Sequence, residues 1–416
     1  MEPNYTSTGE YKAELPGYPV KEAYPKHRDR YGLHILLFLL TLGSTMFAGG
    51  RLVERIGLFE NWQPDQSIWL LLSEPVFLMD GLLFGGGLLL FLTFHEFGHY
   101  FAARFHKIKT SLPYYIPTFI LGFGTLGAVI RIREPIPSTR KLFDVGVAGP
   151  LAGFVVALAM LIYAFATLPD PTYINDLGGH EALKEYVEEF GAYPSSSTEL
   201  DPPEIPGYTF VIGQTPLYWM LSQIFDHVPP MDEMYHFPLL FASWMGLFFT
   251  ALNLLPVGQL DGGHILYALV GPKWHVRLAR GFVIILLLSG SIGFVNDVFP
   301  SLEAQSTILG RSKWFILSAV LYFYLARIFK GNYKLIGASL FGIIMVAMFS
   351  QFDQVGLSDL GYWGWFVWCL LIIMLIKIDH PPVLRPEPLD AGRKALAILS
   401  IIIFMLCFSI APLRLV

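Results

Sequence analysis

The pentapeptide HEFGH at 95–99 sets two imidazoles four residues apart, with a carboxylate directly after the first. On a helix, positions i and i+4 share a face. His95 and His99 can therefore each present a ring nitrogen to one zinc ion, and Glu96 can reach water at that ion as a general base. The motif also arises by chance in soluble helices, but here it follows the run LLLFLTF, where ionisable groups must be paired or ligated. Gly98 leaves backbone room for a substrate beside the metal. A catalytic zinc takes three protein ligands. The candidate third is Asp261, in LNLLPVGQLDGGHI at 252–265; the competing reading is a turn aspartate in an Asp-Gly turn. Pro256, Gly258, Gly262 and Gly263 are expected to break the helix there, so that Asp261 turns back towards the bilayer. His264 either supports the ligands from behind or caps a loop. His27, His34, His106, His180, His227, His236, His275 and His380 show no ligand spacing and read as ordinary loop or interface residues.

The elements that must position these groups are membrane helices. Of 416 residues, 54% are hydrophobic and only 15% charged, against about 25% charged in a soluble domain. The fold class expected is an all-α polytopic membrane protein. Apolar runs long enough to span about 30 Å fall near 33–50, 77–105, 142–168, 236–256, 277–299, 313–329, 334–350, 361–378 and 395–413, about nine helices in all. Asp80 and the glycine triplet 85–87 are expected to interrupt the second run in part. The net charge of −5 argues against a nucleic-acid partner. Cys369 and Cys407 lie in apolar runs without CxxC spacing, so they read as packing residues and not as a disulfide or thiolate site. The polar tail 1–31 lacks the basic head and cleavage site of a signal peptide, which makes the first run a retained span.

Basic residues set the orientation. Lys21, Lys26, Arg28 and Arg30 precede the first span and place the N-terminus inside. Arg104, Lys107, Lys109, Arg131, Arg133, Arg140 and Lys141 then fall on inside loops. The 169–235 loop is acidic, holds one lysine, Lys184, and falls outside. Arg51, Arg55, Arg311 and Lys313 are exceptions.

With HEFGH at 95–99, NLLPVGQLDGG at 253–263 and DVGVAGPLAGF at 144–154 between them, the chain resembles the site-2 protease family of intramembrane zinc metalloproteases over roughly residues 77–270. The resemblance implies zinc ligands His95, His99 and Asp261, one Zn2+ per chain, and Glu96 as general base. It also implies that Asn253 contacts the substrate backbone or the oxyanion. Many members carry a PDZ module, for which the 169–235 loop is too short and too acidic. The helices after about 310 have no counterpart in the family's minimal core.

GAVIRIREP at 127–135 alternates Ile130 and Ile132 with Arg131 and Arg133, a period-two pattern. It reads either as an amphipathic loop on the inner leaflet or as a sheet edge near the metal. A sheet edge could accept an unwound substrate as an added strand, with Gly127, Val129 and Arg131 as substrate-contacting positions. This is the short membrane-associated β or re-entrant segment expected near the active site. Gly149, Ala152 and Gly153 allow close helix packing.

The domain reading is a polar tail at 1–31, a catalytic membrane core at 32–270 that includes the 169–235 outer loop, and additional helices at 271–416. The function expected is a metalloprotease that cuts a membrane-embedded protein substrate near the cytosolic face. The lack of a transit-like start leans towards a bacterial inner membrane. The rival reading is a non-enzymatic divalent-metal transporter with intramembrane His and Asp ligands. A transporter should spread its ligands along a route, whereas these lie in two segments at one depth.

Overall fold

The computed structural model describes residues 30–56, 58, 72–119, 122–195, 200, 210–352, 356–378, 380–381 and 383–415. Most of the polar tail lies outside the described residues, with Lys21, Lys26, His27 and Arg28.

The core begins with two antiparallel helices, α1 (Tyr31–Leu52) and α2 (Pro75–Phe105). In lipid, helix pairs associate through close packing of small residues, and here Gly81 and Gly85 supply it. A Cβ on Gly81 would lie 2.3 Å from the Met46 carbonyl oxygen, and one on Gly85 would lie 2.7 Å from the Met46 nitrogen. The expected interruption of this run is thus absent: α2 runs unbroken through both features. Its glycines pack against α1, and the Asp80 charge is answered by Arg55, 2.5 Å from Oδ2 and 3.1 Å from Oδ1. The same pair explains Arg55 as an exception to the charge rule. Lys313, another exception, pairs with Glu303.

A two-stranded antiparallel ribbon follows, β1 (Tyr114–Pro117) and β2 (Thr125–Val129), with Tyr114 opposite Val129. It extends as a Thr110–Ile132 bridge, with the Ser111 N–H donating to the Arg131 carbonyl at 3.0 Å. α3 (Thr139–Ala166) packs antiparallel on α2. The 169–235 segment holds α4 (Glu181–Phe190), β3 (Phe210–Ile212) and α5 (Pro216–Ser222). α6 (Pro238–Asn253) runs alongside α2 with Gly246 against Phe91 and Ala157. α7 (Asp261–Gly293) kinks at Gly271, where φ is 77° and Pro272 removes an N–H, so its first ten residues form a separate rod at the site.

Beyond it lie α8 (Phe299–Gln305), α9 (Thr307–Phe329), α10 (Tyr333–Phe349), α11 (Trp365–Leu371) and α12 (Ala391–Cys407). β4 (Leu413–Leu415) then pairs antiparallel with β3. The sequence pattern had not suggested strand β3, and the last apolar run leaves the helix at Phe408, short of Pro412. Among the described residues, six helices are long and apolar enough to cross a membrane: α1, α2, α3, Asp261–Gln305, α9 and Tyr333–Phe352. α6, α11 and α12 fall on the other apolar runs but are shorter. Cys369 and Cys407 are buried packing residues.

A charged contact ties α12 to α3. Asp144 on α3 accepts two bonds from Arg393 on α12, both 2.7 Å, and faces His106 at 2.8 Å. Arg393→Ala is expected to cost about 1–2 kcal/mol, more than an exposed pair because the contact is bidentate and partly shielded. The thermal midpoint of the purified protein should fall; an unchanged midpoint would show that this contact carries nothing.

Candidate active site

Three atoms from two distant segments converge. His95 Nε2 and His99 Nε2 are 3.2 Å apart, and Asp261 Oδ2 lies 3.4 Å from the first and 3.2 Å from the second. α2 supplies the histidines one turn apart. Asp261 arrives as the first residue of α7, because the chain between α6 and α7 folds into a compact turn. Gly258 there has φ 58°, and its missing Cβ admits the Lys377 carbonyl. Pro256 and Gly258 sit in the turn as expected, but Gly262 and Gly263 belong to the first turn of α7. They let it pack on the carbonyls of Leu254, Val257 and Gly258.

The donor set fits a zinc ion. Ligand atoms about 2.0–2.1 Å from a tetrahedral centre lie about 3.3–3.4 Å from each other, close to the spacing of these three. His99 Nδ1 is 2.7 Å from the Val145 carbonyl, so Nδ1 carries the hydrogen and Nε2 turns its lone pair inward. That lone pair meets a carboxylate oxygen and a second imidazole, an arrangement of acceptors that a cation resolves. Below the rings the floor is cut away. A Cβ on Gly149 would lie 2.0 Å from His99 Nε2, and one on Gly153 would lie 3.2 Å from His95 Nδ1. His95, Glu96 and His99 are all buried.

Glu96 stands beside the three atoms without being one of them, and it lines the same cavity as Ile130. An open cavity runs between the triad and β2. Its walls include Gly127, Val129, Ile130, Asn253 and Trp368. Of the positions expected to meet a substrate, Asn253, Gly127 and Val129 line this cavity; Gly98 and Arg131 do not. Gly98 faces α3, where a Cβ would lie 2.5 Å from the Ala148 carbonyl oxygen, so the room it leaves is filled by a helix. Arg131 is exposed on the opposite side of the ribbon from Ile130 and Ile132, as the period-two pattern implies. The regular strand lies a few residues earlier than 127–135.

Histidines from distant parts of the chain are brought together. His264 lines the cavity and its Nδ1 is 2.7 Å from His380 Nε2, on whose ring Tyr267 stacks. His180 and His236 meet at a ring separation of 5.0 Å. In both pairs the partners are far apart in sequence, and no local spacing could have joined them.

The sequence profile described as Peptidase family M50 matches residues 83–290, half of the chain. The protein named Probable zinc metalloprotease EGY1, chloroplastic, from Oryza sativa subsp. japonica is 30% identical over 264 residues, 61% of this chain and 40% of the relative. Its namesake from Arabidopsis thaliana is 30% identical over 273 residues, 64% of this chain and 45% of the relative. Probable zinc metalloprotease EGY2, chloroplastic, from Oryza sativa subsp. indica is 28% identical over 206 residues, covering 49% and 31%. The matched parts span less than half the length of these curated relatives. No solved structure matches the chain. Because these relatives are chloroplastic by name, they lend no support to the bacterial inner membrane expected from the sequence. The profile spans both HEFGH and NLLPVGQLDGG, and the chain around them is built of membrane-length apolar helices. It is an integral membrane protein, and it belongs to peptidase family M50, the site-2 protease family.

Proposed function

We propose that this chain is an intramembrane zinc metalloprotease that hydrolyses a peptide bond of a membrane-embedded protein substrate. The observation that carries the reading is the convergence of His95, His99 and Asp261 with a separate carboxylate, Glu96, at their side. His95, His99 and Asp261 would hold the ion. When bound, zinc supplies Lewis acidity, polarising a carbonyl and bringing the pKa of water towards about 7. Glu96 takes the proton from the attacking water and delivers it to the leaving amine. The Val145 carbonyl keeps His99 in the tautomer that ligates. Asn253, at the end of α6, donates to the substrate backbone.

A peptide bond in an intact helix is hydrogen-bonded and shielded. The ribbon edge at Gly127 and Val129 offers an unwound segment new backbone partners, which is β-strand addition. The basic residues around 104–141 support an inside placement for this end of α2. In that frame about nine segments traverse or enter the bilayer, with the ribbon re-entrant from the cytosolic side. Residues 32–270 form the catalytic core, with later helices packed on it. The transporter reading is not favoured: the matching family is one of peptidases, and Glu96 lies beside the triad without belonging to the donor set.

Cleavage is then expected in the cytosolic half of a substrate span, preferentially where Gly, Pro, Asn or Ser weakens its helix. Purified full-length protein with a single-span model substrate, its products mapped by mass spectrometry, tests this. Cutting in the outer half, or equal cutting of a poly-leucine span without a breaker, would sink the proposed geometry. No chelator-sensitive cutting of any membrane substrate would sink the proposed activity.

A further inference from the structure

A second cluster of metal-capable groups lies at the other end of the helices that carry the triad. Glu54, His180 and His236 bring one oxygen and two ring nitrogens within 4.8 Å of one another. Glu233 sits against both imidazoles, with Oε1 3.4 Å from His180 Nδ1 and Oε2 3.4 Å from His236 Nε2. The position is remote from the catalytic triad. Asp80, which holds Arg55 next to Glu54, precedes His95 by four helical turns of α2, about 22 Å.

His236 shows why this cluster calls for a ligand. It is fully buried, and its Nδ1 lies 3.0 Å from the Val53 carbonyl, an acceptor only, so Nδ1 carries the hydrogen. The neutral ring then turns its Nε2 lone pair towards a carboxylate oxygen, also an acceptor. Nε2 has no hydrogen-bond partner among the described residues. Two acceptors so placed need a proton or a cation between them. The adjacent cation, Arg55, is engaged bidentately by Asp80.

The backbone points to the same place. Glu54 and His180 both adopt positive φ, 53° and 63°, a region side-chain-bearing residues rarely enter. Such outliers cluster at functional sites when the surroundings hold them. Here the Gly178 N–H donates to the Glu54 carbonyl at 2.8 Å, and Arg55 bridges to Leu177. Both residues are thereby presented to the cluster.

We propose that Glu54, His180, Glu233 and His236 form a second divalent-metal site, suited to zinc by its nitrogen and oxygen donors, that clips the segment around α4 and the start of α6 to the end of α1. Zinc held by four protein donors has no open position, the pattern of structural rather than catalytic sites. Glu54 is exposed, which gives an ion a way in.

The test counts metal and does not depend on proteolysis. Full-length protein in detergent is stripped with chelator, reloaded with Zn2+, desalted and analysed by mass spectrometry for zinc per chain. His180→Gln and Glu54→Gln are partly or fully exposed changes that keep side-chain volume; each should remove one zinc, from two to one. Asp261→Ala should remove the other zinc, and the double variant His180→Gln/Asp261→Ala should hold none. A count that neither His180→Gln nor Glu54→Gln lowers would overturn the proposal, a proton then filling the gap at His236. A count lowered by these variants but not by Asp261→Ala would uphold it and count against the triad as ligands.

Discussion

Glu96→Gln is expected to reduce cleavage by about 10²–10⁴-fold, the range for loss of a general acid–base group. Zinc content and thermal stability should be unchanged. The amide has the shape of the carboxylate and keeps a polar group in the same buried place. It cannot take a proton from water. Glu96 is also not one of the three convergent atoms, so its loss leaves the donor set intact. Single-turnover cleavage of a model substrate by metal-replete wild-type and variant protein provides the measurement. A loss under about tenfold would mean that another group handles the proton; a loss of zinc would mean that Glu96 ligates.

The contrast between what could and could not be read beforehand follows the range of each interaction. HEFGH encodes its own geometry, because the i, i+4 relation on one helix fixes how far apart two side chains can be. Asp261 was recognisable as a candidate because Pro256 and Gly258 mark a turn after an apolar run, although the packing of Gly262 and Gly263 inside α7 was not. The helical runs were visible for the same local reason. Asp80 misled, because its partner Arg55 lies on another element and neutralises it. The small residues of AGPLAGF signalled close packing but not against what; the histidine rings lie over Gly149 and Gly153. Contacts such as His180 with His236, His264 with His380 and Asp144 with Arg393 depend on tertiary folding across tens to hundreds of residues, and no periodicity carries them.

Gly149→Ala should be nearly as damaging as loss of a ligand, although Gly149 can donate nothing to a metal. The added Cβ would lie 2.0 Å from His99 Nε2 and 2.4 Å from two ring carbons, well inside contact. The ring cannot simply retreat, because its Nδ1 is tied to the Val145 carbonyl, one turn before Gly149 on α3. Either that bond breaks and Nε2 leaves the donor set, or α2 and α3 separate. Separation would give up the close packing of Gly98 on the Ala148 carbonyl. Overpacking of this kind costs about 1–3 kcal/mol, against a gain of about 1 kcal/mol from replacing glycine by alanine in a helix. Stability should therefore change little or fall by up to about 2 kcal/mol, while zinc affinity falls by at least the 10–100-fold typical of losing a ligand's orienting contact. Gly281→Ala on α7 is the control: its Cβ would meet no atom within 4 Å, so only the helix-propensity gain remains. Competition for zinc against a chromophoric chelator, run on both variants with their thermal midpoints, separates the two effects. If Gly149→Ala kept wild-type zinc affinity, His99 would have room to move, and the close fit of α3 beneath the triad would not be what holds the ring in place.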